Sequence, residues 1–135
     1  MNKAEEIIKK YSLVPNSYYP DGVNPYDFRT GKHTDMDNHI AEQNDLYKKY
    51  SQKWKDYVPE KWYGWGGLGN PTPVSWYLAI DEFLEYVKEI DPEFKILQLK
   101  IKFGSLRMYL NSTKQEVHEL CHILEESMFD EKLIY

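Results

Sequence analysis

His118-Glu119-Leu120-Cys121-His122 spells H-E-x-x-H. On a helix this spacing brings two imidazoles to i and i+4, where one zinc ion can reach both, with the glutamate as general base. A catalytic zinc needs a third protein ligand. The 13 residues after His122 contain no histidine, and Glu125 and Glu126 continue the same helix instead of coming from a later element. A zinc-dependent hydrolase using His118 and His122 is therefore the alternative, and a polar helix face with two titratable histidines is the expectation. His33, Asp35, Asp37 and His39 gather further metal-ligating side chains within seven residues. The same composition is expected where a helix N-cap lies among polar flanks. Cys121 falls on the apolar side of its helix, so a buried thiol is expected rather than a nucleophile. No cofactor is expected.

Binding chemistry is written more clearly in two other segments. Trp62-Tyr63-Gly64-Trp65-Gly66-Gly67 offers indoles that could stack a base, a sugar ring or a partner's side chain. The segment lacks the Lys-Ser/Thr ending of a phosphate-cradling loop. Trp62 and Trp65 are its candidate contact residues, and the competing expectation is a loop that fastens itself to the core.

Phe94 to Leu110 is the second segment. Leu97, Leu99, Ile101 and Phe103 alternate with Gln98, Lys100 and Lys102, which predicts a half-buried strand. Gly104-Ser105 then predicts a two-residue hairpin turn with glycine first. Leu106, Met108 and Leu110 alternate with Arg107 and Tyr109 in a second strand. This register pairs Phe103 with Leu106, Ile101 with Met108 and Leu99 with Leu110 on one apolar face. The other face carries Gln98, Lys100, Lys102, Arg107 and Tyr109, with Lys102 opposite Arg107. Like charges in direct cross-strand pairing are destabilising. Something acidic is expected to cover that face: an internal carboxylate, a ligand or a partner. A plain solvated basic face is the competing expectation.

Gln98-Leu99-Lys100-Ile101-Lys102-Phe103-Gly104-Ser105-Leu106-Arg107-Met108-Tyr109 resembles a segment of a group of small uncharacterised bacterial and phage proteins. Their pattern reads Gln-x-Lys-x-Lys-Phe-Gly-x-Leu-Arg-x-Tyr and follows a helix rich in Trp, Tyr and acids, as Trp76 to Ile90 does here. The resemblance covers about residues 61–127. It lends no activity, but it implies a phage- or mobile-element-encoded protein. Members of the group often continue into a cysteine-containing tail, and no cysteine follows Cys121 in this sequence.

Charge distribution supports the same focus. The net charge is −5 over 135 residues. Residues 94–111 hold four basic side chains and no acid, between an acidic stretch on each side. A pI near 5.4 argues against broad nucleic-acid coating. The basic island fits one anionic group or one acidic patch. With 41% hydrophobic residues the chain can build one core, and wholesale disorder is excluded. No apolar run reaches the roughly 18 residues of a membrane span. The first residues lack an apolar signal core, and a single cysteine suits a reducing compartment, so a cytoplasmic protein is expected.

The elements that would position these residues follow from periodicity. A helix is predicted over Lys3 to Tyr11, with Glu5 and Glu6 early and Lys9 and Lys10 late, matching the helix dipole. Ser12 to Asp35 reads as a proline- and glycine-broken loop. A second helix is predicted from Asp35 or Asp37 to about Tyr57, and Lys61 to Pro73 as a loop. A third helix starts near Pro73 or Val74, with Trp76, Ile80, Phe83, Leu84, Val87 and Ile90 on its apolar face. The fourth is predicted to start at Thr113, paired with Glu116 in a capping box, with Val117, Leu120, Cys121, Leu124 and Met128 on one face.

The expected fold is α+β: one domain over 1–135, with about four helices packed with a β-hairpin whose strands span about 94–103 and 106–110. Residues 1–60 form its helical and loop part and 61–127 its helix-hairpin-helix part. The expected function is a non-enzymatic binding protein that inhibits or sequesters a host protein or a small anionic or phosphorylated ligand, of the counter-defence type. An immunity protein that meets a basic toxin with its acidic helices is an alternative. Neither membrane nor nucleic acid is the expected partner.

Overall fold

The computed structural model describes residues 2–11, 34–68 and 72–129, and the side chains of 34–40 are not among what it describes. The expected loop over Ser12 to Asp35 therefore falls almost wholly outside the described residues, as do the side chains of Asp35, Asp37 and His39 and all of His33. Among the described residues, four helices, a short 3-10 turn and a three-stranded mixed sheet make an α+β fold: α1 (Lys3–Tyr11), α2 (Thr34–Lys53), β1 (Gly64–Gly67), α3 (Val74–Ile90), β2 (Lys95–Lys102), β3 (Ser105–Asn111) and α4 (Gln115–Ser127). None of the described helices is long and apolar enough to cross a membrane.

α1 opens on a reciprocal cap. The Asn2 side-chain oxygen accepts from the Glu5 backbone N–H at 3.0 Å, and the Asn2 amide donates to the Glu5 carboxylate at 3.1 Å. Ala4 and Ile7 are buried. Lys10 holds both Glu82 carboxylate oxygens at 3.0 Å, which pins α1 to α3. Burial pushes the Glu82 carboxyl up, but hydrogen bonds from Tyr11 and Lys10 outweigh it and hold it below the usual range.

α2 starts at Thr34, so Asp35 and Asp37 lie inside the helix, not at its cap. It stops at Lys53, and Lys55–Tyr57 tightens into a 3-10 turn where the sequence predicts continued α-helix. Trp54, at that junction, is buried and donates its indole N–H to Asp81 of α3 at 2.8 Å. Lys53 meets the same carboxylate at 2.8 Å and Glu85 at 3.0 Å.

α3 is the centre of the core. Trp76, Ile80, Phe83, Leu84 and Val87 are all buried, as their spacing predicts. α4 buries Val117, Leu120, Cys121 and Leu124, and Met128 follows them inside. Its start differs from expectation. Thr113 makes no cap; Lys114 is the N-cap residue and has no side-chain capping bond. Ser112 organises the connection instead, accepting from the Lys114 N–H at 3.1 Å and donating to Asp91 at 2.6 Å. That bond, the first of several causes, holds the Asp91 carboxyl below its ordinary range.

The strand order is β1-β2-β3, with β1 parallel and β3 antiparallel to β2. β1 corrects the expectation of a loop. With α3 it forms a β-α-β unit, the connection a parallel pair requires. Gly67 permits the close approach: a Cβ there would come within 2.5 Å of the Leu99 carbonyl oxygen and of Lys100 Cβ.

The hairpin turn is also corrected. Phe103 (φ 53°) and Gly104 (φ 79°) form it, and Lys102 pairs with Ser105. Two positive φ values in a two-residue loop match the twist of the strands it joins. Phe103 is consequently 68% exposed instead of core. An irregularity between Ile96 and Gln98 leaves Leu97 out of the pairing and half-buried, so that Ile96 and Leu99 both reach the core.

β3 would present an open edge, but the end of α4 covers it. Glu125 accepts from the Met108 N–H at 2.7 Å, and the Met128 carbonyl accepts from the Leu106 N–H at 3.0 Å. Paired edges do not template association.

Candidate binding face of the sheet

Strand alternation divides the sheet. Ile96, Leu99, Leu106, Met108 and Leu110 face the helices and are buried. The opposite face presents three cross-strand rows: Gln98 with Tyr109, Lys100 with Arg107, and Lys102 with Ser105. All five side chains singled out in the sequence, Gln98, Lys100, Lys102, Arg107 and Tyr109, therefore share one face. The like-charge pair is Lys100–Arg107, not Lys102–Arg107, because the turn sits one residue earlier than expected. That places the pair in the middle of the sheet rather than at its tip.

β1 adds to this face what the sequence did not suggest. Gly64 lies beside Gln98 and Gly67 beside Lys100. At Gly67 a ledge of backbone thus borders the Lys100 end of the Lys100–Arg107 row, whereas Gly64 is buried under the Val58 side chain. The only sequence signal was the Gly66-Gly67 doublet, which reads equally well as a loop.

The electrostatics of the face are one-sided. Among the described residues, none of Lys100, Lys102 and Arg107 forms an ion pair. The Arg107 Nε is buried and finds no hydrogen-bond partner among them. Acids of α3 and α4 are engaged elsewhere: Asp81 with Lys53, Glu82 with Lys10, Glu125 with the β3 edge and Glu126 with His122. The cations lean on aromatic rings instead. Lys100 Nζ lies 5.5 Å from the Tyr109 ring centre and Lys102 Nζ lies 5.7 Å from that of Phe103.

The two candidate indoles separate. Trp62 is 52% exposed, at the approach to β1. Trp65 is inside, 2% exposed, stacked near-parallel on Tyr77 with centres 6.3 Å apart and on Tyr50 at 6.1 Å. Trp65 is thus a core side chain, and Trp62 alone of the pair is open to a ligand.

His118 and His122 are exposed on α4 and do not converge on a third ligand. His118 Nε2 lies 2.8 Å from the Ser112 carbonyl oxygen, and His122 Nε2 lies 2.9 Å from Glu126. No group of three or more metal-capable side chains occurs among the described residues. After zinc loading and dialysis, elemental analysis is expected to find well under one zinc per chain. One zinc per chain, lost in His122→Ala, would reverse this assignment. Cys121 is buried 3.8 Å from the Met108 sulfur, and burial pushes its thiol up to about 12, which leaves no thiolate for nucleophilic work near neutral pH.

No protein-family model, curated protein or solved structure matches this chain.

Proposed function

We propose that the protein is a non-enzymatic binding protein that captures an anionic group on the open face of its sheet, and so inhibits or sequesters the host protein or small ligand carrying that group. The observation that supports this most directly is the Lys100–Arg107 row. Two cations sit opposite each other, with Lys102 beyond them, and no described carboxylate balances them. A fold gains nothing from such a pair, whereas an incoming anion does. Arg107 offers a planar fork for a carboxylate or phosphate, and the lysines add field. The resemblance of the hairpin segment to small bacterial and phage proteins favours a counter-defence role.

Titration calorimetry with pyrophosphate and with a poly-glutamate peptide tests the reading. At least one probe should bind the wild-type protein, more weakly as salt rises. Arg107→Ala should weaken that binding by about tenfold or more, since losing one partner of a charge pair costs about 2–5 kcal/mol where the pair is desolvated. Arg107→Lys should restore only part, because an ammonium lacks the fork. The melting temperature of Arg107→Ala should stay level or rise, as the variant removes a like-charge contact and a buried unpartnered N–H. A large fall in stability, or no binding of either probe by the wild type, would refute the proposal.

A further inference from the structure

We infer that the anion taken by this face is the phosphate end of a free nucleoside diphosphate, whose base lies against Tyr109 and Gln98. This rests on the anion-capture reading above and narrows it to one ligand class. Along the strands the side chains of this face fall in a definite order. The Gln98–Tyr109 row pairs an aromatic ring with an amide that both donates and accepts. The next row is Lys100–Arg107, and the next carries Lys102. Successive rows on one face are two residues apart, about 7 Å at the rise of a β-strand. A nucleoside diphosphate has the same polarity: a planar ring with donor and acceptor edges at one end, a sugar, then two phosphates.

Three observations join the rows into one surface. The Lys100 ammonium stands 5.5 Å from the Tyr109 ring centre, so the cation and the ring lie on the same side of the sheet and within reach of one ligand. Tyr109 is 46% exposed, open enough to stack a base. On the β1 side the neighbour of Lys100 is Gly67, where even a methyl group would come within 2.5 Å of Lys100 Cβ. No β1 side chain therefore stands over the cation row at that position. Arg107 adds a fork suited to one phosphate.

Charge outside the face selects a free nucleotide over a nucleic-acid strand. The basic island ends at residue 111, and the stretches before and after it carry seven acids against two bases and six against two. The face supplies three cations, Lys100, Lys102 and Arg107, and the chain as a whole carries −5, while affinity for strands grows with the number of phosphates neutralised.

The test is titration calorimetry of the full chain with ADP, GDP, pyrophosphate, adenosine and a ten-nucleotide single-stranded DNA. ADP or GDP should bind about tenfold or more tightly than pyrophosphate, within the range of base-on-aromatic stacking. Adenosine alone should bind at least tenfold more weakly than ADP. Tyr109→Ala should abolish the margin over pyrophosphate while leaving pyrophosphate affinity unchanged, and Tyr109→Phe should keep the margin. Thermal melts of both variants should match wild type, since the side chain lies outside the core. Arg107→Ala should weaken nucleotide and pyrophosphate alike by tenfold or more. Pyrophosphate binding equal to that of both nucleotides would overturn the nucleotide inference and leave anion capture standing, as would binding of poly-glutamate alone. Tighter binding of the DNA than of either diphosphate would overturn the choice of a free ligand. Failure of every anionic probe would overturn both readings.

Discussion

Leu84→Ala is expected to lower the unfolding free energy by about 2–5 kcal/mol in a urea melt. Leu84 is fully buried on α3, with Ile80, Phe83 and Val87 equally buried around it. α3 packs against both α1 and α2. Both neighbours are also tied to it by charge, α1 through Lys10–Glu82 and α2 through Lys53–Asp81. A helix held on two sides cannot slide in to refill a lost isopropyl group, so the upper half of the range is expected. Domains of this kind are stable by only about 5–15 kcal/mol, so the variant should lose a large fraction of its margin. A loss below about 1 kcal/mol would mean that the site collapses freely and that α3 is not the rigid centre described.

Periodicity separates the elements that a sequence reveals from those it hides. α3 and α4 were legible because a 3.6-residue period repeats over many residues and few other structures satisfy it. β1 was not. Gly-Trp-Gly-Gly has no alternation to read, and glycine is a poor strand former. The strand exists because β2 supplies hydrogen-bonding partners and because Gly67 can approach it, and both are tertiary facts. The turn was misplaced for a similar reason. Phe103 adopts a positive φ that an aromatic residue rarely takes. Glycine alone therefore pointed to Gly104-Ser105, one residue late. Thr113 and Glu116 had the spacing of a capping box, but the chain resolves its connection through Ser112 and Asp91.

The candidate face survived the misplaced turn for a geometric reason. Moving a two-residue turn by one position slides the partner strand by two residues, and a slide of two keeps every side chain on its own side. The composition of the face was thus readable, while the pairing within it was not. The correction has consequences for binding, because Lys100–Arg107 is flanked by the glycine ledge and by Tyr109, whereas a Lys102–Arg107 pair would have stood beside the turn.

Trp65 is where the sequence offered a ligand contact and the fold gives a core residue, and its variants should separate the two roles sharply. Trp65→Ala is expected to cost about 3–5 kcal/mol, the range for a buried aromatic truncated to a methyl group. The ring is held between Tyr50 and Tyr77, so its removal breaks two stacked contacts at once and releases β1 from α2 and α3. Trp65→Phe should behave very differently. The indole Nε1 is buried without a hydrogen-bond partner among the described residues. An unsatisfied buried donor costs about 1–3 kcal/mol, and phenylalanine removes it. That gain offsets most of the smaller ring's lost contact, so a net change within about 1 kcal/mol is expected. Pyrophosphate binding should be unchanged in Trp65→Phe, because the ring points away from the cation rows. Trp62→Ala should leave stability nearly untouched, since that indole is half exposed. A Trp65→Ala protein that melts like the wild type would place the indole outside the core and return it to the ligand-contact role that its sequence neighbours suggested.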